Sequence, residues 1–219
     1  MNTLIVPFLA DLDTLDMCSV SKCMSKLELF PIDVVDWPQV YSYKPEVHFS
    51  VAYSSRYIYV HFNVKGEGMK AVYTVNQSPV CKDSCVEFFL RVPGDDEYWN
   101  FEFNPIGTMN SSHRLDRHNS TKLTEAQIVS IKRYASAGNQ PFEERPGVHQ
   151  WTLTAAIPFE LLGIDSMNLP DHIMGNFYKC GDDTSKPHYL SWNKINLEKP
   201  DFHCPQFFGK LLLEKKKNQ

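Results

Sequence analysis

Apolar and polar residues alternate with period two over much of the chain. Residues 47–53 alternate, a three-residue turn of Ser54, Ser55 and Arg56 follows, and residues 57–64 alternate again with Ile58, Val60, Phe62 and Val64 on one side. This predicts a hairpin with one face inward. Residues 69–75 read as a shorter strand after Gly66-Glu67-Gly68. A second hairpin is predicted from residues 86–92 and 98–104 around Pro93-Gly-Asp-Asp-Glu97. A third joins residues 127–136 and 148–157 across a loop containing Asn139, Pro141, Pro146 and Gly147. Residues 173–180, 188–192 and 208–213 supply the closing strands. Helical signals are confined to one or two short turns. Residues 158–163 have Pro158 at the start and Gly163 at the end, and residues 121–126 could form another. About ten short strands separated by turn residues predict an all-β, mainly antiparallel fold, a two-sheet β-sandwich ahead of a barrel. No repeat or linker divides residues 1–219, so one domain is expected.

The second hairpin carries the most information. Pairing 87 with 104, 89 with 102 and 91 with 100 puts Phe88, Leu90, Val92, Trp99, Phe101 and Phe103 on one face. Glu87, Phe89, Arg91, Asn100, Glu102 and Asn104 fall on the other. The first face must be core. The second is either a solvated surface with Glu–Arg pairs or a polar face that meets a ligand's hydroxyls. Amides and carboxylates bond in fixed directions, which suits a polyol. Parity within each strand predicts that Val60, Phe62, Phe88, Leu90, Phe101, Phe103, Leu153 and Leu212 are buried.

Composition narrows the partners. With 42% hydrophobic and 22% charged residues, the chain is neither disordered nor fibrous. A net charge of −4 with mixed signs argues against a nucleic-acid partner and against a polybasic membrane anchor. The one basic run, Lys215-Lys216-Lys217, reads as a solvated terminus. No stretch approaches the ~20 apolar residues of a membrane helix. Residues 4–10 are interrupted by Pro7 and followed by Asp11 and Asp13, with no preceding positive side chain. The expected location is therefore cytoplasmic, or secreted or periplasmic if a leader has been removed. Six cysteines, at 18, 23, 81, 85, 180 and 204, include no Cys-x-x-Cys. Reduced thiols are expected, with a Cys180–Cys204 pairing left open. The histidines form no His-Glu-x-x-His, and no Gly-x-Ser-x-Gly is present. Glu87 and Glu102 on adjacent strands could approach the ~5–5.5 Å of a retaining glycosidase. A small glycan-processing or lyase-like enzyme is the alternative that follows, although Arg91 between the acids suggests salt bridges. Trp37, before Pro38, is expected in an exposed loop. Phe202, among Pro200, Asp201, His203 and Pro205, is either a loop anchor or a stacking platform.

Residues 80–90 (VCKDSCVEFFL) followed by 98–107 (YWNFEFNPIG) resemble the pattern of carbohydrate-binding module family 9, in its stand-alone Bacteroidetes type. The resemblance continues through Trp151 to Pro158, residues 175–182, Tyr189-Leu-Ser-Trp192 and residues 201–209, and spans about residues 27–214. It implies an immunoglobulin-like β-sandwich that binds mono- or oligosaccharides, often at chain ends, without catalysis. Members of the family clamp a sugar ring between two aromatic side chains, and those positions fall here on Cys81 and Phe202. An arginine position of the polar strand falls on Glu102. The implied ligand set is Phe202 as the platform, Asn100, Glu102 and Asn104 from the polar strand, and Asn176, Tyr178 and His188 from strands near the site, with Cys81 at the vacated clamp position. A thiol offers no ring-sized platform, so weak binding is expected, at roughly −4 to −6 kcal/mol. No cofactor is otherwise indicated; the resemblance admits calcium, for which Asp95-Asp96-Glu97 is the sole acidic run of interest. The oligomeric state is left open.

Overall fold

The computed structural model describes residues 1–215, so Lys216 and Lys217 of the basic run lie outside the described residues. Its strands are β1 (Thr3–Val6), β2 (Phe30–Pro31), β3 (Val34–Val35), β4 (Glu46–Tyr53), β5 (Tyr57–Ala71), β6 (Cys85–Arg91), β7 (Tyr98–Phe103), β8 (Met109–Arg114), β9 (Ser120–Lys122), β10 (Lys132–Ala135), β11 (Phe142–Pro158), β12 (His172–Cys180), β13 (Tyr189–Ser191) and β14 (Gly209–Leu213). Two helices accompany them, α1 (Met17–Met24) and α2 (Glu125–Ser130). One sheet runs β1-β14-β12-β6-β7-β8-β9, with β13 and β3 branching from β12, and the other runs β10-β11-β5-β4-β2. The ladder pairings are antiparallel except β1 with β14. This is the expected two-sheet sandwich. No helix among the described residues is long and apolar enough to cross a membrane.

The sheets meet through aromatic stacking. The Phe177 ring lies 3.6 Å from Phe49 of the opposite sheet and 4.6 Å from Phe88 beside it, centroid to centroid. Val60, Phe62, Phe88, Leu90, Phe101, Phe103 and Leu153 are all fully buried, as parity requires. Leu212 is the exception: β14 buries Leu211 and Leu213 and leaves Leu212 half-buried. It pairs with the exposed Ile5 on the outer side of the parallel β1–β14 ladder, so the inward parity of this strand is odd.

Four local expectations are corrected. In the second hairpin Glu87 faces Glu102 and Phe88 faces Phe101, a register two residues from the one inferred. A shift of two preserves every side chain's face, so the core assignment is unaffected. Residues 69–71 continue β5 instead of starting a new strand. Gly68 adopts φ +71°, and β11 opposite takes up the irregularity in register shifts between Phe142 and Arg145 and between Arg145 and Val148. Residues 125–130 are helical: Thr124 and Gln127 form a reciprocal capping box and Ile128 is buried, so only β10 remains of the strand expected there. Pro158 ends β11, and residues 159–163 make non-helical turns ending at Gly163, φ +67°. Helix α1 was not anticipated. Asp16 caps it by accepting from Ser19 N–H, and Val20, Ser21 and Met24 are buried on one side.

Candidate functional site

Strands β6, β7 and β12 are consecutive neighbours, and each turns alternate residues away from the main core. Glu87 lies between Glu102 on one side and Tyr178 on the other; Phe89 lies between Asn100 and Asn176. This outer face is not solvated. The C-terminal loop and the segment around Trp37 cover it, forming a second apolar cluster that includes Phe89, Tyr98, Tyr178, Phe202 and Phe208. Trp37, expected to be exposed, is 5% exposed and donates its indole N–H to Leu197 O at 2.8 Å. A large ring beside the cluster is more stable buried with its single donor satisfied.

The cover leaves a pocket of about 240 Å³. Cys81, Phe202, Glu87, Glu102, Cys180, Asn110 and Arg114 are among the residues that line it. Cys81 is placed by a short turn of residues 80–82, and its carbonyl accepts from Asp182 N–H at 2.9 Å. Phe202 stacks on Tyr178, with centroids 4.2 Å apart and planes 8° apart, and Tyr178 Oη donates to Phe202 O at 3.3 Å. Tyr189 meets Phe202 at 5.9 Å and 71°, so the two rings form a corner and not a parallel clamp.

The two glutamates differ electrostatically. Burial raises the Glu102 carboxyl, but Asn110 Nδ2 at 3.0 Å, the nearby Arg114 guanidinium and Asn100 Nδ2 at 2.9 Å all favour its ionised form. Glu87 is pushed well above the carboxylate range by burial and then by the charge of Glu102. Its Oε1 accepts from Cys180 Sγ at 3.1 Å. Both carboxyls are therefore held above the usual carboxylate range, Glu87 the further. The expected Glu–Arg91 pairing is replaced by these amide and thiol partners. Arg91 lies at the far end of β6, opposite Met174.

Of the residues expected at the site, Phe202, Glu102 and Cys81 line the pocket. Asn100 lies behind it: its Nδ2 goes to Glu102 and its Oδ1 accepts from Arg114 Nε at 2.7 Å, so it positions both. Tyr178 supports Phe202 from below. Asn104, Asn176 and His188 lie elsewhere. Asn104 braces a turn, donating to Tyr73 O and Asp83 and accepting from Thr108 N–H at 2.9 Å. Asn176 is consumed by Asn193, accepting from its N–H at 2.9 Å and donating to its O at 2.8 Å. His188 is buried against Lys179, Nε2 to Nζ 2.8 Å, with Nδ1 2.7 Å from Lys186 O. Each has spent its polar atoms on the fold, which a strand pattern does not reveal. Asn110, Arg114, Arg117, Asp182, Tyr189 and His203 line the pocket without having been anticipated. Tyr189 lay within a quoted segment of the resemblance. Asn110 and Arg114 sit on β8, whose sequence MNSSHR has no apolar alternation to mark it.

Among the described residues, two groups hold metal-type donors. Asp95, Glu97 and His113 cluster at the surface, with the imidazole 3.5 and 3.4 Å from the two carboxylates. Two carboxylates closed on an imidazole do not fit calcium, which takes six to eight oxygens. The other group, Cys85, Glu87 and Cys180, is buried, with all donor atoms within 4.8 Å of one another. All six cysteines are free. Cys180 faces Cys85 across the β6–β12 ladder, while Cys204 Sγ donates to Asp201 O at 3.3 Å, so the pairing left open between 180 and 204 is not made.

The sequence model of carbohydrate-binding family 9 matches residues 18–213. A Bacteroides uniformis ATCC 8492 protein proposed to bind carbohydrate, with a crystal structure at 2.70 Å, is 38% identical. It superposes with a TM-score of 0.90, covering 97% of this chain and 99% of its own. Two structures of family 9 modules from Caldicellulosiruptor kristjanssonii, in complex with glucose and with cellotriose, are 13% and 12% identical with TM-scores of 0.53 and 0.58. They cover 100% and 99% of this chain and 98% and 96% of their own, and at that identity they speak for the fold. A search of curated proteins returned no match.

Proposed function

Because the chain belongs to carbohydrate-binding family 9, we propose that it binds a carbohydrate in the pocket between Cys81 and Phe202 and does not transform it. One observation carries this reading. The two positions that the resemblance assigns to the sugar clamp, far apart in sequence, line one pocket together with Glu102. The pocket volume of about 240 Å³ equals about eight waters at ~30 Å³ each, which suits one ring with its hydroxyls and hence a chain end. The Phe202–Tyr189 corner meets the C–H surface of the ring. Glu102 accepts from hydroxyls, and Asn110 and Arg114 donate. With one wall a thiol, affinity falls in the high-micromolar to millimolar range, roughly −4 to −6 kcal/mol. Glucose and cellotriose, bound by the Caldicellulosiruptor modules, are the first probes.

Two neighbouring carboxyls held above the usual range invite comparison with a glycosidase pair. A catalytic pair must flank the scissile bond, however. These two sit side by side on one sheet floor, directly opposed in register, and would reach a ring from the same side. Calorimetry with glucose, cellobiose and cellotriose, with product analysis of each mixture, tests the reading. Binding without products is expected, weakened at least tenfold by Glu102→Ala. Retained affinity in that variant would move the site elsewhere, and released products would make the protein an enzyme.

A further inference from the structure

We propose that Cys85, Glu87 and Cys180 form a site for a divalent cation of zinc's ligand preference, at the floor of the pocket. Two thiols and a carboxyl on neighbouring strands converge there, Cys85 and Cys180 as a direct cross-strand pair and Glu87 two residues along β6. The Cys180 Sγ to Glu87 Oε1 distance is 3.1 Å, and Cys85 Sγ to the same oxygen is 3.9 Å. With Zn–S of about 2.3 Å and Zn–O of about 2.0–2.2 Å, a tetrahedral sulfur–oxygen edge is about 3.5 Å. The observed separations bracket it, so small side-chain rotations suffice. The donor set of soft thiolates with one carboxylate selects zinc over calcium or magnesium.

The surroundings match a cation as well. Glu87 and Cys180 face the pocket, which gives an ion its entry path. Asp182 lines the same pocket, and its buried Oδ1 has no hydrogen-bond partner. The fourth coordination position is left to water or a ligand oxygen from the pocket that Glu87 and Cys180 line. Two thiolates and a carboxylate around Zn²⁺ carry one net negative charge. The buried Lys179 ammonium, bonded to Cys180 O at 2.6 Å, lies close enough to offset it. In binding, two Zn–S bonds and one Zn–O bond form as the two thiol protons and the Glu87 proton leave to solvent. No oxidant or reductant is involved. Because these protons must leave for the ligands to bind, affinity rises with pH.

The proposal does not rest on sugar binding, and its test uses metal alone. Reduced protein is titrated with Zn²⁺ against a chromophoric chelator, and with Co²⁺ by absorbance. One equivalent is expected, with a thiolate-to-cobalt charge-transfer band and visible tetrahedral bands. Cys85→Ser and Cys180→Ser should each lower affinity at least ~100-fold, while Cys18→Ser leaves it unchanged. Should a serine variant fold poorly, alkylation footprinting of the unmodified protein decides. Zn²⁺ should protect Cys85 and Cys180 and leave Cys18 and Cys23 as reactive as before. Absence of stoichiometric binding, retention of binding in both serine variants, or protection of other cysteines instead would overturn the site. So would recovery of a Cys85–Cys180 disulfide in a protein that takes no metal after reduction.

Discussion

Glu87 and Glu102 have the same side chain and face each other across a ladder, yet their neighbours separate them. Glu102 has two amide donors and a nearby guanidinium, whereas Glu87 has only thiols, Cys180 and the more distant Cys85, and the charge of Glu102. The raised Glu87 carboxyl is linked to stability. Its contribution is fully present below the unfolded value of about 4.3 and is lost as pH rises through the folded value. Glu87→Gln keeps the acceptor for Cys180 and removes this titration. In metal-free buffer, the urea midpoint of the variant should gain on the parent as pH rises above the unfolded value. A gap between the two that stays constant with pH would show that Glu87 titrates normally. In the same pocket, Cys81→Trp adds a ring at the clamp position. Stacking of about 1 kcal/mol should tighten sugar binding about fivefold, read by calorimetry. Unchanged affinity would mean that the sugar does not touch residue 81.

Elements differ in how plainly the chain announces them. Strands β4 to β7 were legible because apolar and polar residues still alternate along them, although β6 and β7 are buried on both faces. Register was less so, since a slip of two residues satisfies the same alternation; the turn after β6 chose between the two. Helix α2 was misread because Ile128 and Ile131, both buried, fit either a strand or a helical turn, and the Thr124–Gln127 box settled it. Thr124→Ala should cost about 1 kcal/mol in thermal or chemical unfolding, and a loss under ~0.2 kcal/mol would show the box to be unimportant. Phe101→Ala, by contrast, empties a fully buried site on β7. Its expected cost is ~3–5 kcal/mol. A surface-like change below ~0.5 kcal/mol would contradict the stacking of the two sheets.

At the scale of the molecule, the two ends of the chain close one sheet edge together. Strand β1 lies parallel to β14, Leu4 and Val6 are buried, and Glu214 N–H donates to Val6 O at 2.9 Å. Removing residues 1–6 exposes both the edge of β14 and its apolar neighbours. From the two buried side chains alone, about 3–6 kcal/mol should be lost, measured as a lowered urea midpoint. A truncated protein as stable as the parent would mean that β1 is merely laid on the sheet.

What the sequence by itself determined was local or shared across a family. Alternation assigned side chains to faces, because a strand's parity depends only on its own residues. The ordered segments between residues 80 and 209 pointed to the family and, through it, to Cys81 and Phe202. Which polar residues remain free for a ligand was decided by tertiary structure. Asn104, Asn176 and Glu102 read alike on a strand, and only the turn at Thr108, the loop at Asn193 and strand β8 determine which amide or carboxyl is already bonded. The C-terminal loop turned an expected open face into a second core and left one pocket beneath it, because burying Phe202 and Trp37 against Tyr178 is worth more than leaving those rings in water. That choice rests on contacts between distant segments, which no local pattern encodes.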